Sequence, residues 1–180
     1  MKKFLLVLVI FAVVSGATFA MDLMSYPPPV DGGNIMIDAG LGLRTTLYSG
    51  AKWKIPPLFL HVEYALPVGV PISVGGFFTI SKYGTKWTSY NWAWTDMTFG
   101  ARGNWHWGFD VSWLDFYTGL SLGYTYSKWD KDNWTGTDYS YGGFYYAFQA
   151  GAHFYFTNNI GAMLEVGYPY WIKAGVAFKF

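Results

Sequence analysis

The stretch Asn34-Ile35-Met36-Ile37-Asp38-Ala39-Gly40-Leu41-Gly42-Leu43-Arg44 sorts its side chains by parity. Odd positions hold Ile35, Ile37, Ala39, Leu41 and Leu43, whereas even positions hold Asn34, Met36, Asp38, Gly40, Gly42 and Arg44. Successive side chains of a strand point to opposite faces, so this is a strand with one apolar face and one face of glycine and charge. Seven later segments read the same way. Their apolar phases are Leu58 to Tyr64, Ile72 to Ile80, Met97 to Trp107, Leu114 to Tyr124, Phe144 to Phe154, Ile160 to Tyr168 and Tyr170 to Phe180, taking every second residue. Gly76, Gly103 and Thr118 are the only positions on these phases that are not apolar.

Charge distribution tests the phases independently. Inside the strands the charged residues are Asp38, Arg44, Glu63, Arg102, Asp115, Glu165, Lys173 and Lys179, all on the phase opposite the apolar one, and their formal charges cancel. That phase is also rich in glycine, as at Gly40, Gly42, Gly75, Gly100, Gly119, Gly123, Gly151 and Gly175. One charge per strand is too few for a water-facing surface, but it suits the crowded lumen of a narrow barrel. Eight strands enclose a space just wide enough for side chains to fill it. Buried charges there have to be paired, since an isolated one costs several kcal/mol. The apolar phase then faces lipid. The expected fold is all-β: an eight-stranded antiparallel up-and-down transmembrane β-barrel, closed because an open edge in lipid leaves backbone groups unsatisfied.

Composition agrees. The chain has 180 residues, 52% of them apolar, 22% aromatic and only 13% charged, against about 25% charged in an ordinary soluble domain. Forty aromatic residues at near-zero net charge exclude disorder. The absence of cysteine excludes disulfides, thiolate metal sites and a thiol nucleophile. Lys2 and Lys3, eleven apolar residues from Phe4 to Val14, and Ser15-Gly16-Ala17-Thr18-Phe19-Ala20 form the three parts of a secretory signal. We therefore assign residues 1–20 to a signal peptide and 21–180 to the barrel domain. Losing Lys2 and Lys3 leaves 10 basic and 11 acidic side chains, a balance that gives no reason to expect nucleic acid as a partner.

Short connections at Leu66 to Val70, Gly108-Phe109 and Thr157 to Asn159 are expected at the periplasmic rim. Long ones over Thr45 to Pro57, Lys82 to Thr95 and Ser127 to Gly143 are expected outside. The last outer connection, Tyr168-Pro169-Tyr170, is tight, so the outer rim should be low there, and a turn centred on Pro169 sets Glu165 opposite Lys173. A two-residue turn at Gly108-Phe109 sets Arg102 opposite Asp115. Trp105, Trp107, Tyr124, Tyr126, Tyr168 and Tyr170 near strand ends read as interfacial girdles.

The chain resembles the small eight-stranded outer-membrane barrels of Gram-negative-type bacteria, the group that includes the barrel of outer membrane protein A and outer membrane protein X. The resemblance covers residues 33 to 180. It is most specific at Gly100-Ala101-Arg102-Gly103-Asn104-Trp105-His106-Trp107 and at Asp115-Phe116-Tyr117-Thr118-Gly119-Leu120-Ser121-Leu122-Gly123-Tyr124. These segments are similar to a family pattern of Ala-Arg…Tyr-His followed by Asp-x-Tyr-x-Gly-x-x-x-Gly-Tyr, with Trp105 replacing the tyrosine. The resemblance implies a bacterial outer-membrane location, outer-membrane lipids and the barrel assembly machinery as partners, and Phe180, after Phe178 and Val176, as the terminal assembly signal. No peptidoglycan-binding segment follows in the sequence, so the tethering role of longer relatives is not expected.

Chemistry-bearing residues are few. His61, His106 and His153 lie on the inward phase of three different strands and give no metal-ligand spacing. A second hairpin centred near Val68 would bring Glu63 opposite Ser73, with His61 on the same face. A hydrolase needs such a set, but a filled lumen admits no acyl chain. Lipid A deacylases of similar size carry His-x-Ser, which none of these histidines does. Asp130, Asp132, Asn133 and Asp138 lack the glycine-centred calcium pattern and read as a solvated loop, and Asn133-Trp134-Thr135 is a formal sequon only.

We therefore expect no catalytic residues, cofactor or metal. Asp38, Glu63, Arg102, Asp115, Glu165, Lys173 and Lys179 should form an interior salt-bridge network. The aromatic outer connections offer contact residues at Trp87, Tyr90, Trp92, Trp94, Trp129 and Trp134, unless these extend the strands and the girdle. The expected function is non-enzymatic, structural or adhesion-like, in a monomer or weak oligomer, with a surface ligand that the sequence does not identify. A narrow channel for small or apolar solutes is the first alternative, and a lipid-modifying enzyme the second.

Overall fold

A computed structural model describes residues 27–44, 51–87, 90–131, 139–168 and 170–180. Eight strands follow in chain order: β1 (Ile35–Arg44), β2 (Lys52–Ala65), β3 (Ile72–Trp87), β4 (Tyr90–Trp107), β5 (Leu114–Lys131), β6 (Ser140–Tyr155), β7 (Ile160–Tyr168) and β8 (Tyr170–Lys179). Each pairs antiparallel with its sequence neighbour, and β1 pairs with β8, so the sheet closes. The barrel has no free edge.

The two faces are those the parity predicts. Leu41, Leu60, Phe99, Leu120, Phe148, Val166 and Val176 are exposed on the outside. Asp38, Glu63, Arg102, Asp115 and Glu165 are each at most 4% exposed inside. On β4 the outward apolar positions run from Trp107 to Met97. With ~3.4 Å per residue and a tilt of ~40°, this run stands roughly 26 Å tall. That matches the ~25 Å apolar band of a membrane barrel. Aromatic rings mark both margins, with Trp113 stacked on Phe154 at one end and Tyr146 on Tyr168 at the other.

Glycine on the inner face lets neighbouring backbones pinch together where the sheet bends. A Cβ added at Gly40 would lie 2.2 Å from the Ala174 carbonyl oxygen, and one added at its partner Gly175 would lie 2.2 Å from that of Ala39. Only a residue without a side chain fits this β1–β8 seam.

Several connections differ from expectation. The turn after β4 is not Gly108-Phe109: the chain leaves the sheet from 108 to 113, and Arg102 pairs with Ser121, not Asp115. The displacement is six residues, an even number, so every side chain keeps its face. The β2–β3 hairpin is displaced by two, pairing Glu63 with Gly75 and Ser73 with Ala65. Much of the expected outer loop sequence is strand, because Lys82–Trp87, Tyr90–Thr95 and Ser127–Lys131 continue the ladders. Glu165 does pair with Lys173. β3 to β6 have 16 to 18 residues and β1, β7 and β8 only 9 or 10, so the outer rim is low on the β7–β8–β1 side. The surplus length of the tall strands carries them roughly 10–18 Å past the apolar band.

Candidate functional site

Two features stand out: a polar network across the lumen, and an aromatic cluster at the outer mouth. All eight strands contribute to the first. Arg102 on β4 is its hub. Its Nε lies 2.8 Å from Glu63 Oε1 on β2, and its Nη2 2.8 Å from Glu165 Oε2 on β7. Its Nη1 donates to His61 Nδ1 at 2.6 Å. Glu165 also accepts from Lys173 Nζ at 2.7 Å and from the Tyr117 hydroxyl at 3.0 Å. Glu63 accepts from Asn104 Nδ2 at 2.8 Å and from the Ser73 hydroxyl. Gln149 Nε2 donates to Asn104 Oδ1 at 3.0 Å. Asp115 holds His106 Nδ1 and His153 Nδ1, each at 2.9 Å, and the far nitrogen of His153 reaches Asp38 at 3.2 Å.

Charge balance differs from the sequence count. Lys179 stands apart from this network: its Nζ donates to the Pro29 carbonyl at 2.6 Å and sits over the Tyr155 ring. The Arg44 side chain lies outside the described residues. Among the described residues the four carboxylates of the network thus have Arg102 and Lys173 as cationic partners on Glu63 and Glu165, which Asn104, Ser73 and Tyr117 also serve as donors, while Asp38 and Asp115 are met by histidines. His153 lies between Asp38 and Asp115 with both ring nitrogens on carboxylate oxygens, a setting that calls for a donor at each nitrogen.

The Glu63, Ser73 and His61 set is only partly assembled. Ser73 reaches Glu63, but its histidine is His106, whose Nε2 is 2.9 Å from Ser73 Oγ, while His61 is turned toward Arg102 and Asp38. The Ser73–His106–Asp115 relay looks like a nucleophile system, yet Ser73 is 0% exposed and donates to Glu63. A depression of about 740 Å³ at the inner end is lined by His106, Trp105, Trp107, Pro27 and Pro67, but not by Ser73. Asn104, Tyr117 and Gln149 were missed as network members, although their inward parity marked them. Among the described residues no group of three or more metal-ligating side chains could hold an ion.

Above the apolar band, Trp94 stacks on Trp129 with ring centroids 6.2 Å apart, Tyr141 meets Trp94 edge-on at 5.6 Å, and Tyr139 lies 6.0 Å from Trp129. Tyr139 and Tyr141 are exposed. Trp87, Tyr90 and Trp92 lie on strand backbone, but their side chains, like the whole of Trp134, fall outside the described residues. Phe180 closes the seam through paired backbone bonds with Ile35, each 2.9 Å.

No family model and no curated protein sequence matches the chain. Solved structures do. The outer membrane protein OprG of Pseudomonas aeruginosa superposes with a TM-score of 0.55 at 12% identity, over 83% of this chain and 97% of that one. Ail, the attachment invasion locus protein of Yersinia pestis, in complex with the heparin analogue sucrose octasulfate, gives 0.53 at 15% identity over 84% and 100%. Neisserial surface protein A gives 0.53 at 16% over 83% and 98%. At these identities the likeness speaks for architecture alone, and it agrees with the strand number and closure. The chain has the fold of the small eight-stranded outer-membrane β-barrels.

Proposed function

We propose that this is a non-enzymatic outer-membrane barrel that engages a surface ligand through its tall outer side. The carrying observation is the Trp94, Trp129, Tyr139 and Tyr141 cluster, which the extended β4, β5 and β6 hold above the apolar band. Rigid amphipathic rings of this kind dominate binding surfaces. The lumen supports the non-catalytic part of the reading, since Ser73 is fully buried and its hydroxyl is committed to Glu63. Phe180, exposed beside β1, is the element we assign to recognition by the assembly machinery, and the bilayer lipids are the barrel's other partners.

Sucrose octasulfate, the ligand in the Ail complex, is a reasonable first probe. Titrated calorimetrically into the barrel in nanodiscs, it should bind the wild type, and Trp94→Ala with Trp129→Ala should weaken binding at least about tenfold, the loss expected for two hot-spot aromatics. Replacing residues 132–138 by a short glycine-serine link should weaken it as well. Unaltered affinity in both variants would remove the aromatic cluster from the function.

A further inference from the structure

The register joins the outer aromatic cluster to two rings on earlier strands. Trp53 of β2 pairs with Tyr83 of β3, Tyr83 with Trp94 of β4, and Trp94 with Trp129 of β5. The Trp129 amide donates to the carbonyl of Tyr139, which directly precedes β6. Paired residues share a face, and Tyr83 has the parity of the buried Ser73 and Thr79, so the row faces the barrel axis. Trp53 meets Tyr83 edge-on with ring centroids 5.8 Å apart. The row is therefore an arc of rings carried from β2 to β6. Four strand spacings of ~4.8 Å give it a length of roughly 19 Å.

The arc opens toward the low side of the rim. β6 pairs with β7 only as far as Phe148 and Tyr168, and β1 with β2 only as far as Leu41 and Leu58. Among the described residues no strand on the β7–β8–β1 side reaches the level of the rings. Trp53, Trp94 and Trp129 are half-buried, and Tyr139 is exposed. One inward row below them lie Ser81, Asp96 and Ser127, again paired in order. Ser127 donates to Asp96 at 2.6 Å. Ser81 is 1% exposed, and its hydroxyl has no hydrogen-bond partner among the described residues. A buried hydroxyl left unpaired is costly, and a ligand hydroxyl that reaches past the rings removes that cost.

Ring platforms repeated at even spacing above a row of hydroxyl and carboxylate oxygens fit a ligand with the same alternation. A chain of linked sugars has it, since each unit carries an apolar C–H face and a hydroxyl edge. An apolar solute would leave Ser81 unpaired, and a single sugar would use a fraction of the arc. Asp96 is the one charged side chain in these two rows, so they read sugar rings and hydroxyls, not sulfates. We propose that the inner face of β2–β6 at the outer mouth binds a linear, uncharged oligosaccharide, stacked along Trp53, Tyr83, Trp94 and Trp129 with one hydroxyl on Ser81. The inference rests on the reading of the aromatic cluster as a ligand surface, and it adds the ligand class and the rings of β2 and β3.

The test uses the full mature chain folded into nanodiscs, titrated calorimetrically with cellohexaose, chitohexaose, the corresponding disaccharides and sucrose octasulfate. At least one hexasaccharide should bind, roughly tenfold tighter than its disaccharide because it engages more of the rings. Trp53→Ala should weaken it roughly tenfold, and Ser81→Ala roughly threefold to tenfold, the loss of one neutral hydrogen bond. Trp113→Ala, at the inner end, should leave it unchanged. The inference is overturned if neither hexasaccharide binds, if the disaccharides bind as tightly, or if folded Trp53→Ala, recognised by its unheated gel mobility, binds normally. Should Trp53→Ala fail to fold, the comparison of hexasaccharide with disaccharide on the wild type still decides. Octasulfate held by Trp94 and Trp129 with neither hexasaccharide bound would overturn the sugar class proposed here and leave the aromatic surface in place. Binding of every probe indifferent to Trp94→Ala with Trp129→Ala would instead sink that surface, and this inference with it.

Discussion

One guanidinium ties together three strands. Arg102 leaves β4 and meets Glu63 and His61 of β2 and Glu165 of β7 in the closed lumen. Removing it leaves Glu63 buried without its counter-ion and Glu165 with Lys173 alone, which is far costlier than losing an exposed pair. Arg102→Met should therefore lower stability by about 3–5 kcal/mol, read as a shift in the urea midpoint of the refolded barrel. Lys179 is charged and inward in phase, yet it is half-buried and bonds a backbone carbonyl at the inner rim. Lys179→Met should cost less than about 1 kcal/mol, and a loss equal to that of Arg102→Met would show that the network is not organised around the arginine. Parity made the residues of this network legible but not their partners. Arg102 and Asp115 were correctly placed inside, and yet Arg102 faces Ser121, because the Gly108-Phe109 dipeptide does not distinguish a two-residue turn from a six-residue connection that keeps the same phase.

At the scale of the strand, what was hardest to read was where each one ends. Lys82–Trp87 and Tyr90–Thr95 mix lysine, threonine, tryptophan and tyrosine, so they lack the apolar alternation of a membrane-facing strand. Once the strand leaves lipid, that alternation is no longer required, and threonine and aromatic residues still favour extended backbone. The seam between first and last strand was legible only as a glycine habit, not as a contact. Gly40 and Gly175 face each other so closely that a side chain on either collides with the partner backbone. Gly40→Val should accordingly prevent closure, seen as loss of the fast-migrating folded band on unheated gels and as degradation in cells. Gly143→Ala, where an added Cβ meets nothing within 4 Å, should leave that band intact. A folded Gly40→Val barrel would mean that the seam can shift register to relieve the clash.

For the whole molecule the question is whether the cylinder conducts. Its polar interior runs between small apolar clusters, Val30, Met36 and Ala65 toward the inner end and Phe77, Tyr145 and Ala147 toward the outer. Between them the bonded side chains reach from one wall to the opposite one. A file of water would have to break these charged and hydrogen-bonded contacts to pass. Planar bilayers holding the wild type should show no steady openings. Glu165→Gln combined with Lys173→Met removes the β7–β8 pair but leaves Arg102 with Glu63, and leaves Asp115 holding His106 and His153. The loss is a charged hydrogen bond on Arg102, worth about 1.5–3 kcal/mol, while the brace across β1 to β6 stays in place. The double variant should therefore unfold at lower urea and remain electrically silent. Steady conductance in it, at unchanged stability, would mean that the β7–β8 pair is a gate in an otherwise open pore and would favour the channel alternative over surface binding.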